Sequence, residues 1–412
     1  MKFTLIPLSA RKSRFAGKLW FAVAGVCLLA LGSAPAFAQY RVTNLVSSST
    51  SAAPAQTIDP EIVNPWGLAA FPTGPFWVDA QNSSTSRLYT GSGEIVSALP
   101  AVQIPCVTDT GGDTAVPCPL PGEGEQFIPG DGQFYPFGPS GVVANTFASS
   151  GSFSISNGGA SGPALFIFDT LDGLIVGWNP SVNETQGIVA VNRFGAGVGY
   201  TGLDIADSAA GPHLYAAAAV PGGGIDVFDS GFNYVGTFAA DVNLPPISST
   251  ALFVPYAVAA VGNKLYVTYF NLDASGGILD ICDIATNPTS PKCRRLFASN
   301  LSGTGTQPVL ASPWAVVRTP DHFGPLSNKI LVGNVDDGKI HAFDPDTGAL
   351  VGELKLADGT PFAVPGLWDL EFGSGQAIQG PKNFLFFTAG ITSDPTNPAL
   401  QYGGGLFGVI QP

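Results

Sequence analysis

Six positions carry the side chains best placed to do chemistry: Trp66, Ser140, Thr201, Tyr256, Trp314 and Trp368. Each follows a residue such as Pro, Tyr or Leu and precedes a small residue and an aliphatic. The copies read Asn64-Pro65-Trp66-Gly67-Leu68, Pro139-Ser140-Gly141-Val142, Tyr200-Thr201-Gly202-Leu203, Pro255-Tyr256-Ala257-Val258, Pro313-Trp314-Ala315-Val316 and Leu367-Trp368-Asp369-Leu370. If the copies are equivalent in space, Trp66, Tyr256, Trp314 and Trp368 face one another and could stack on a sugar, an aromatic ring or a lipid-like ligand. The competing reading packs them between neighbouring elements as core. Asp369 is the exception within the motif, because the other five copies place Gly or Ala there. A carboxylate at so crowded a position must be paired, metal-bound or shifted toward protonation, since an isolated buried charge is costly. Asp369 is therefore expected to contact ligand or metal.

Acidic loops supply a second set of oxygen ligands. Asp336 and Asp337 follow a predicted strand and, with Asp369, are the candidate ligands for a divalent cation, with Ca²⁺ the cofactor suggested. No intact D-x-D-x-D-G loop is present, so ordinary acidic turns are the alternative. The chain has no G-x-S-x-G elbow, H-E-x-x-H helix or Walker loop. His213, His322 and His341 fall in different repeats and nominate no metal site.

The elements that must position these groups are strands. Short β-branched and aromatic runs alternate with Gly, Asn, Asp and Pro, and no long segment beyond the N-terminus has helical periodicity. The motif recurs about every 50–75 residues, near the ~40–50-residue period of a propeller blade with loop insertions. The expected fold is all-β, a six-bladed β-propeller. The first blade is predicted to end on a strand at Glu94–Leu99. The last repeat holds only three strands, Leu367–Phe372, Asn383–Thr388 and Gly405–Ile410. Tyr40–Val46 alternates polar and apolar residues and is predicted to be the missing fourth strand, closing the ring and removing two bare sheet edges. Asp344-Pro345-Asp346-Thr347-Gly348 and Asp229-Ser230-Gly231 read as turns capped by their first Asp.

The first 38 residues read as a signal peptide. Lys2, Arg11, Lys12, Arg14 and Lys18 precede an apolar run, and Ala36-Phe37-Ala38 offers a cleavage pattern; an uncleaved anchor is the competing reading. Residues 39–412 would then form a single propeller, secreted or periplasmic. They retain 12 of the 17 Lys+Arg against all 30 Asp+Glu, an acidic balance that argues against nucleic acid and anionic membranes as partners. Four cysteines remain in two local pairs, Cys106 with Cys118 and Cys282 with Cys293, expected as disulfides in an oxidising compartment. An insertion around 102–136 carries the first pair and reads either as a lid or as a plain loop.

The order of motifs from Tyr40-Arg41-Val42-Thr43-Asn44-Leu45-Val46 through Asn64-Pro65-Trp66-Gly67-Leu68, Ser312-Pro313-Trp314-Ala315-Val316 and Asp344-Pro345-Asp346-Thr347-Gly348 to Gly404-Gly405-Leu406-Phe407-Gly408 resembles a family of uncharacterised exported bacterial propellers. Some members of that family carry a C-terminal PEP-CTERM sorting tail. The blades are more distantly similar to NHL-repeat and gluconolactonase-type propellers, an analogy of fold. The reading that follows is a propeller binding a small molecule, a glycan or a protein partner on the face around its central channel. The alternative is a divalent-metal-dependent hydrolase of lactonase type.

Overall fold

The computed structural model describes residues 40–107, 115–117, 125–127, 134–136, 138–239, 253–272, 276–299, 308–394, 396 and 401–412. The predicted signal peptide and Cys118 lie outside the described residues.

Six antiparallel sheets follow one another along the chain. Blade 1 comprises Pro65–Ala69, Phe76–Ala80, Thr85–Tyr89 and Ala101–Gln103. Blade 2 comprises Pro139–Ala144, Phe166–Thr170, Leu174–Trp178 and Ile188–Asn192. Blade 3 runs through Tyr200–Ser208, Gly211–Ala218, Ile225–Phe228 and Tyr234–Phe238. Blade 4 runs through Phe253–Val261, Lys264–Asn271, Gly277–Asp283 and Lys292–Ser299. Blade 5 uses Pro313–Arg318, Ile330–Asn334, Ile340–Phe343 and Leu350–Glu353. Blade 6 takes Leu367–Phe372, Leu385–Ala389 and Leu406–Gln411, and its fourth strand is Arg41–Ser47 from the other end of the chain. Arg41–Ser47 pairs antiparallel with Leu406–Gln411, and the short Thr57–Ile58 adds to its free side in parallel. The first strands contact one another in blade order, and the first strand of blade 6 contacts that of blade 1.

The burial pattern follows from this arrangement. Second strands such as Phe76–Ala80, Phe166–Thr170 and Leu385–Ala389 are buried throughout, because both sheet faces meet neighbouring blades. Such strands read as continuous apolar runs rather than alternating ones. Fourth strands face outward, and Tyr234, Val235, Leu350 and Val351 are the most exposed large apolar residues. The first strands are so close together that a Cβ on Gly141 would sit 3.0 Å from the Gly202 Cα. That contact explains the Gly or Ala at the third motif position. The turn acids act as predicted: Asp229 Oδ1 accepts the N–H groups of Gly231 and Asn233, and Asp344 Oδ1 accepts those of Asp346 and Thr347.

One local expectation is corrected and one element is added. The fourth strand of blade 1 is Ala101–Gln103, not Glu94–Leu99. Thr90 Oγ1 accepts the Glu94 N–H and turns the chain there, leaving Ile95 exposed, whereas Val102 and Ile104 are buried. Blade 2 also carries an additional hairpin, Ser154–Asn157 with Ala160–Pro163, which seats Ile155 in the core. The described parts of the 102–136 insertion include a pairing of Pro105–Val107 with Ala115–Pro117 and one of Glu125–Phe127 with Phe134–Pro136.

Cys282 and Cys293 form a disulfide between directly opposed residues of the third and fourth strands of blade 4. Closing this loop stabilises by about 3 kcal/mol on the chain-entropy model. The Cys282→Ser/Cys293→Ser double variant is therefore expected to lose about 2–3 kcal/mol in denaturant unfolding. An unchanged midpoint would show that the sheet pairing alone holds this edge. No helix among the described residues is long and apolar enough to cross a membrane.

Candidate functional site

The repeat brings its aromatic residues together at one end of the first strands. Trp368 is the hub. It stacks on Trp66 with ring centroids 3.6 Å apart and planes 20° from parallel. Tyr256 and Trp314 meet it edge-on at 6.0 and 6.3 Å, and Tyr402 lies 6.0 Å away. All four predicted aromatic ligand residues thus share one cluster, which is also part of the buried core. The side chains pack against one another as core, and together they build a wall. Two indoles are pinned, with Trp314 donating to the Thr201 carbonyl at 2.7 Å and Trp368 donating to Asn64 Oδ1 at 3.1 Å.

A cavity of about 980 Å³ opens against this wall. Trp66, Tyr256, Phe270, Trp368 and Tyr402 line its aromatic part. Trp314 backs the wall without lining it. The cavity extends toward blade 3, where Arg193, Asp226 and Thr237 line it. Asp226 accepts from Tyr200 Oη at 2.6 Å, from Arg193 Nη2 at 3.3 Å and from the Thr237 hydroxyl. The Arg193 guanidinium also lies 4.0 Å over the Tyr234 ring, so stacking and the ion pair together fix its position. Burial first, and then the Asp226 charge, push the Tyr200 phenol far above its ordinary range, which keeps it a proton donor to Asp226.

Asp369 is paired within the fold, one of the outcomes its crowded position allowed. Its carboxylate accepts the N–H groups of Leu68 at 2.8 Å and of Leu370 at 2.7 Å. It ties blade 6 to blade 1 and does not line the cavity. Thr388, opposite it on the second strand, accepts the Asp369 N–H and donates to the Trp66 carbonyl, a second tie across the same seam. Asp204 repeats the device between blades 3 and 4, accepting from Ala260 at 2.6 Å and Ile205 at 2.7 Å. Burial raises Asp369 to about 7, Asp204 to about 6 and Glu371 to about 8. The Asp204 charge also raises both Asp369 and Glu371. Blades 3 and 6 are opposite in the ring, so these carboxyls sense one another across the axial channel. Asp169 is raised to about 7 by burial, against a hydrogen bond from Ser140. Burial likewise lifts Asp79 well above its usual range, with Asp169 and Asp369 adding to the shift.

The predicted metal ligands do not assemble. Asp336 accepts the Ser312 hydroxyl, whereas Asp337 accepts from Asn334 and from the Lys339 N–H. Among the described residues no three His, Cys, Asp or Glu form a group that could hold a metal ion. Sequence reasoning missed Asn64, Phe270, Arg193, Asp226 and Tyr402 as cavity residues. Asn64 had a local signal: it precedes a proline, adopts a left-handed φ of 47°, and is fully buried. The others become neighbours only when the blades stand side by side.

No family model matches the chain. Two uncharacterized proteins of Acanthamoeba polyphaga mimivirus are similar to it along most of their length. One is 26% identical over 369 residues, covering 87% of this chain and 79% of its own. The other is 25% identical over 345 residues, covering 82% and 79%. These relatives are viral, which corrects the expected bacterial exported family, and they lend no support to a PEP-CTERM lineage. Among solved structures, a Bacteroides thetaiotaomicron protein of unknown function is 10% identical with a TM-score of 0.48, covering 90% of this chain and 76% of that one. A glucose dehydrogenase is 13% identical with a TM-score of 0.43, covering 90% and 98%. A streptogramin B lyase is 8% identical with a TM-score of 0.40, covering 91% and 99%. Their activities belong to those proteins.

Proposed function

We propose that the chain is an exported binding propeller that takes a small apolar molecule into the cavity beside Trp66, Tyr256 and Trp368, without catalysing a reaction on it. One observation carries the reading: a mostly apolar concavity of about 980 Å³, with Trp66, Tyr256, Phe270, Trp368 and Tyr402 on one side and a few fixed polar groups at its blade 3 end. Cavities of this size and character suit small ligands that bury most of their surface. The alternative, a metal-dependent hydrolase, required Asp369 to be free for a cation. Both of its oxygens instead accept amide N–H groups.

The dye anilinonaphthalene sulfonate tests the reading, because its fluorescence rises on entering an apolar cavity. Saturable binding to one site is expected. Trp368→Leu removes the hub of the wall and should weaken that binding tenfold or more, as loss of an interfacial aromatic of about 2 kcal/mol would. Far-UV circular dichroism on the same variant checks that it is folded. Absence of saturable binding, or binding indifferent to Trp368→Leu in a folded protein, would overturn the assignment.

A further inference from the structure

Phe153, Phe232 and Tyr402 are bulky residues whose backbone takes the left-handed φ that side chains avoid, at 60°, 63° and 66°. For the two phenylalanines the fold supplies the compensation. They pack edge to face at 5.2 Å inside one core, 0% and 7% exposed. Tyr402 has no such burial. It is half-buried, packs against the rim of its core cluster and lines the cavity. A glycine would take this backbone at no steric cost, and glycines fill the next three positions, 403 to 405.

The surroundings hold the strained residue in place. Its carbonyl accepts from Asn82 Nδ2 at 3.2 Å, and the Gln401 side-chain amide donates to the Gly390 carbonyl at 2.7 Å. Asn64, another left-handed residue of the cavity wall, donates its N–H to the Gly404 carbonyl at 3.1 Å and its Nδ2 to Asn82 at 3.2 Å. The ring occupies space that a bare backbone leaves open, since a Cβ on Gly390 would lie 2.8 Å from Tyr402 Cδ1. It leans on Trp368 with its plane tilted by 39°. Backbone strain persists only where neighbours over-determine it, and it concentrates at ligand clamps. We infer that Tyr402 is a ligand-contact residue of the cavity, and that the fold holds its left-handed backbone to set this ring against the ligand. This inference rests on the cavity being the binding site. It adds which ring is kept for the ligand, whereas Trp66, Tyr256 and Trp368 also serve as buried core.

Three variants of Tyr402, each titrated with anilinonaphthalene sulfonate and melted without it, test the inference. Tyr402→Gly relieves the strain and removes the ring. It should bind the dye about tenfold more weakly, the value of a well-placed interfacial aromatic, while still melting cooperatively. Tyr402→Ala should lose the same affinity but melt at a lower temperature than Tyr402→Gly, because its Cβ remains on a left-handed backbone. Tyr402→Phe restores a ring and should recover the affinity, a rescue that a change in global stability would not produce. Parental affinity in Tyr402→Gly would overturn the ligand contact. Loss of its cooperative melt would overturn the inference too, by showing the ring to be core, and equal melting of the Gly and Ala variants would overturn the strain assignment. If the unaltered protein shows no saturable dye binding, the cavity reading itself fails and takes this inference with it.

Discussion

A chain starting at Ser48 is expected not to fold. Removing Arg41–Ser47 and Tyr40 strips blade 6 of its fourth strand and leaves Leu406–Gln411 as a bare, apolar edge. It also empties part of two cores. Leu45 and Val46 are buried against Phe76, Tyr89, Phe386 and Phe407. Tyr40 packs on Phe323 and donates to its carbonyl at 2.7 Å. Burying three such side chains is worth about 2 kcal/mol each, before the ladder hydrogen bonds are considered. Set against a typical total of about 5–15 kcal/mol, that loss removes most of the stability, and the exposed edge invites aggregation. Soluble yield and near-UV circular dichroism of the truncated chain measure the effect. A truncated protein that melts cooperatively near the intact chain's temperature would show that blade 6 stands on three strands.

The melting temperature is expected to fall as pH rises from 5 to 8, the reverse of ordinary acid denaturation. Burial raises Asp172 and Asp204 to about 6, Asp169 and Asp369 to about 7, and Glu371 to about 8, with Asp79 also well above its usual value. In the unfolded chain these carboxyls lose their protons near pH 4. Between pH 4 and 8 the folded state therefore holds more protons than the unfolded state, and stability drops with each unit of rising pH. A group raised by three units contributes on the order of 4 kcal/mol that is fully present below pH 4 and gone above its folded value. Several such groups, coupled across the channel, make the total several kcal/mol. Two opposing terms are smaller. His341 is held below its ordinary value by burial, so it costs stability as pH falls below about 6.5. Surface turns such as Asp344, lowered to about 2 by hydrogen bonds from Thr347 and by Lys329, matter only below pH 4. Thermal melts at constant ionic strength from pH 5 to 8 test the slope, and Glu371→Gln, which cannot ionise, should flatten it. A melting temperature that climbs steadily across this range would refute the assignment of neutral carboxyls to the channel.

The amino-acid sequence by itself determined the blade architecture, because the information is local. Strand periodicity, an Asp that caps its own turn at Asp344, and a small residue wherever first strands touch are all written within a few residues of one another. Strand bookkeeping was enough to send Tyr40–Val46 to the last sheet, and repeat position alone brought Trp66, Tyr256, Trp314 and Trp368 to one cluster. Only the tertiary structure decided what those residues do. Asp369 stood out correctly as an anomaly, but its partner is the amide of Leu68, about 300 residues away, and that contact exists only where blade 6 meets blade 1. The same holds for Asp204 facing Asp369 and Glu371 across the axis, and for Arg193 with Asp226, which reach the cavity from two different blades. Charge, burial and hydrogen-bond satisfaction depend on neighbours distant in sequence, and no pattern along the chain encodes which donor, such as the Trp66 indole, finds no partner among the described residues.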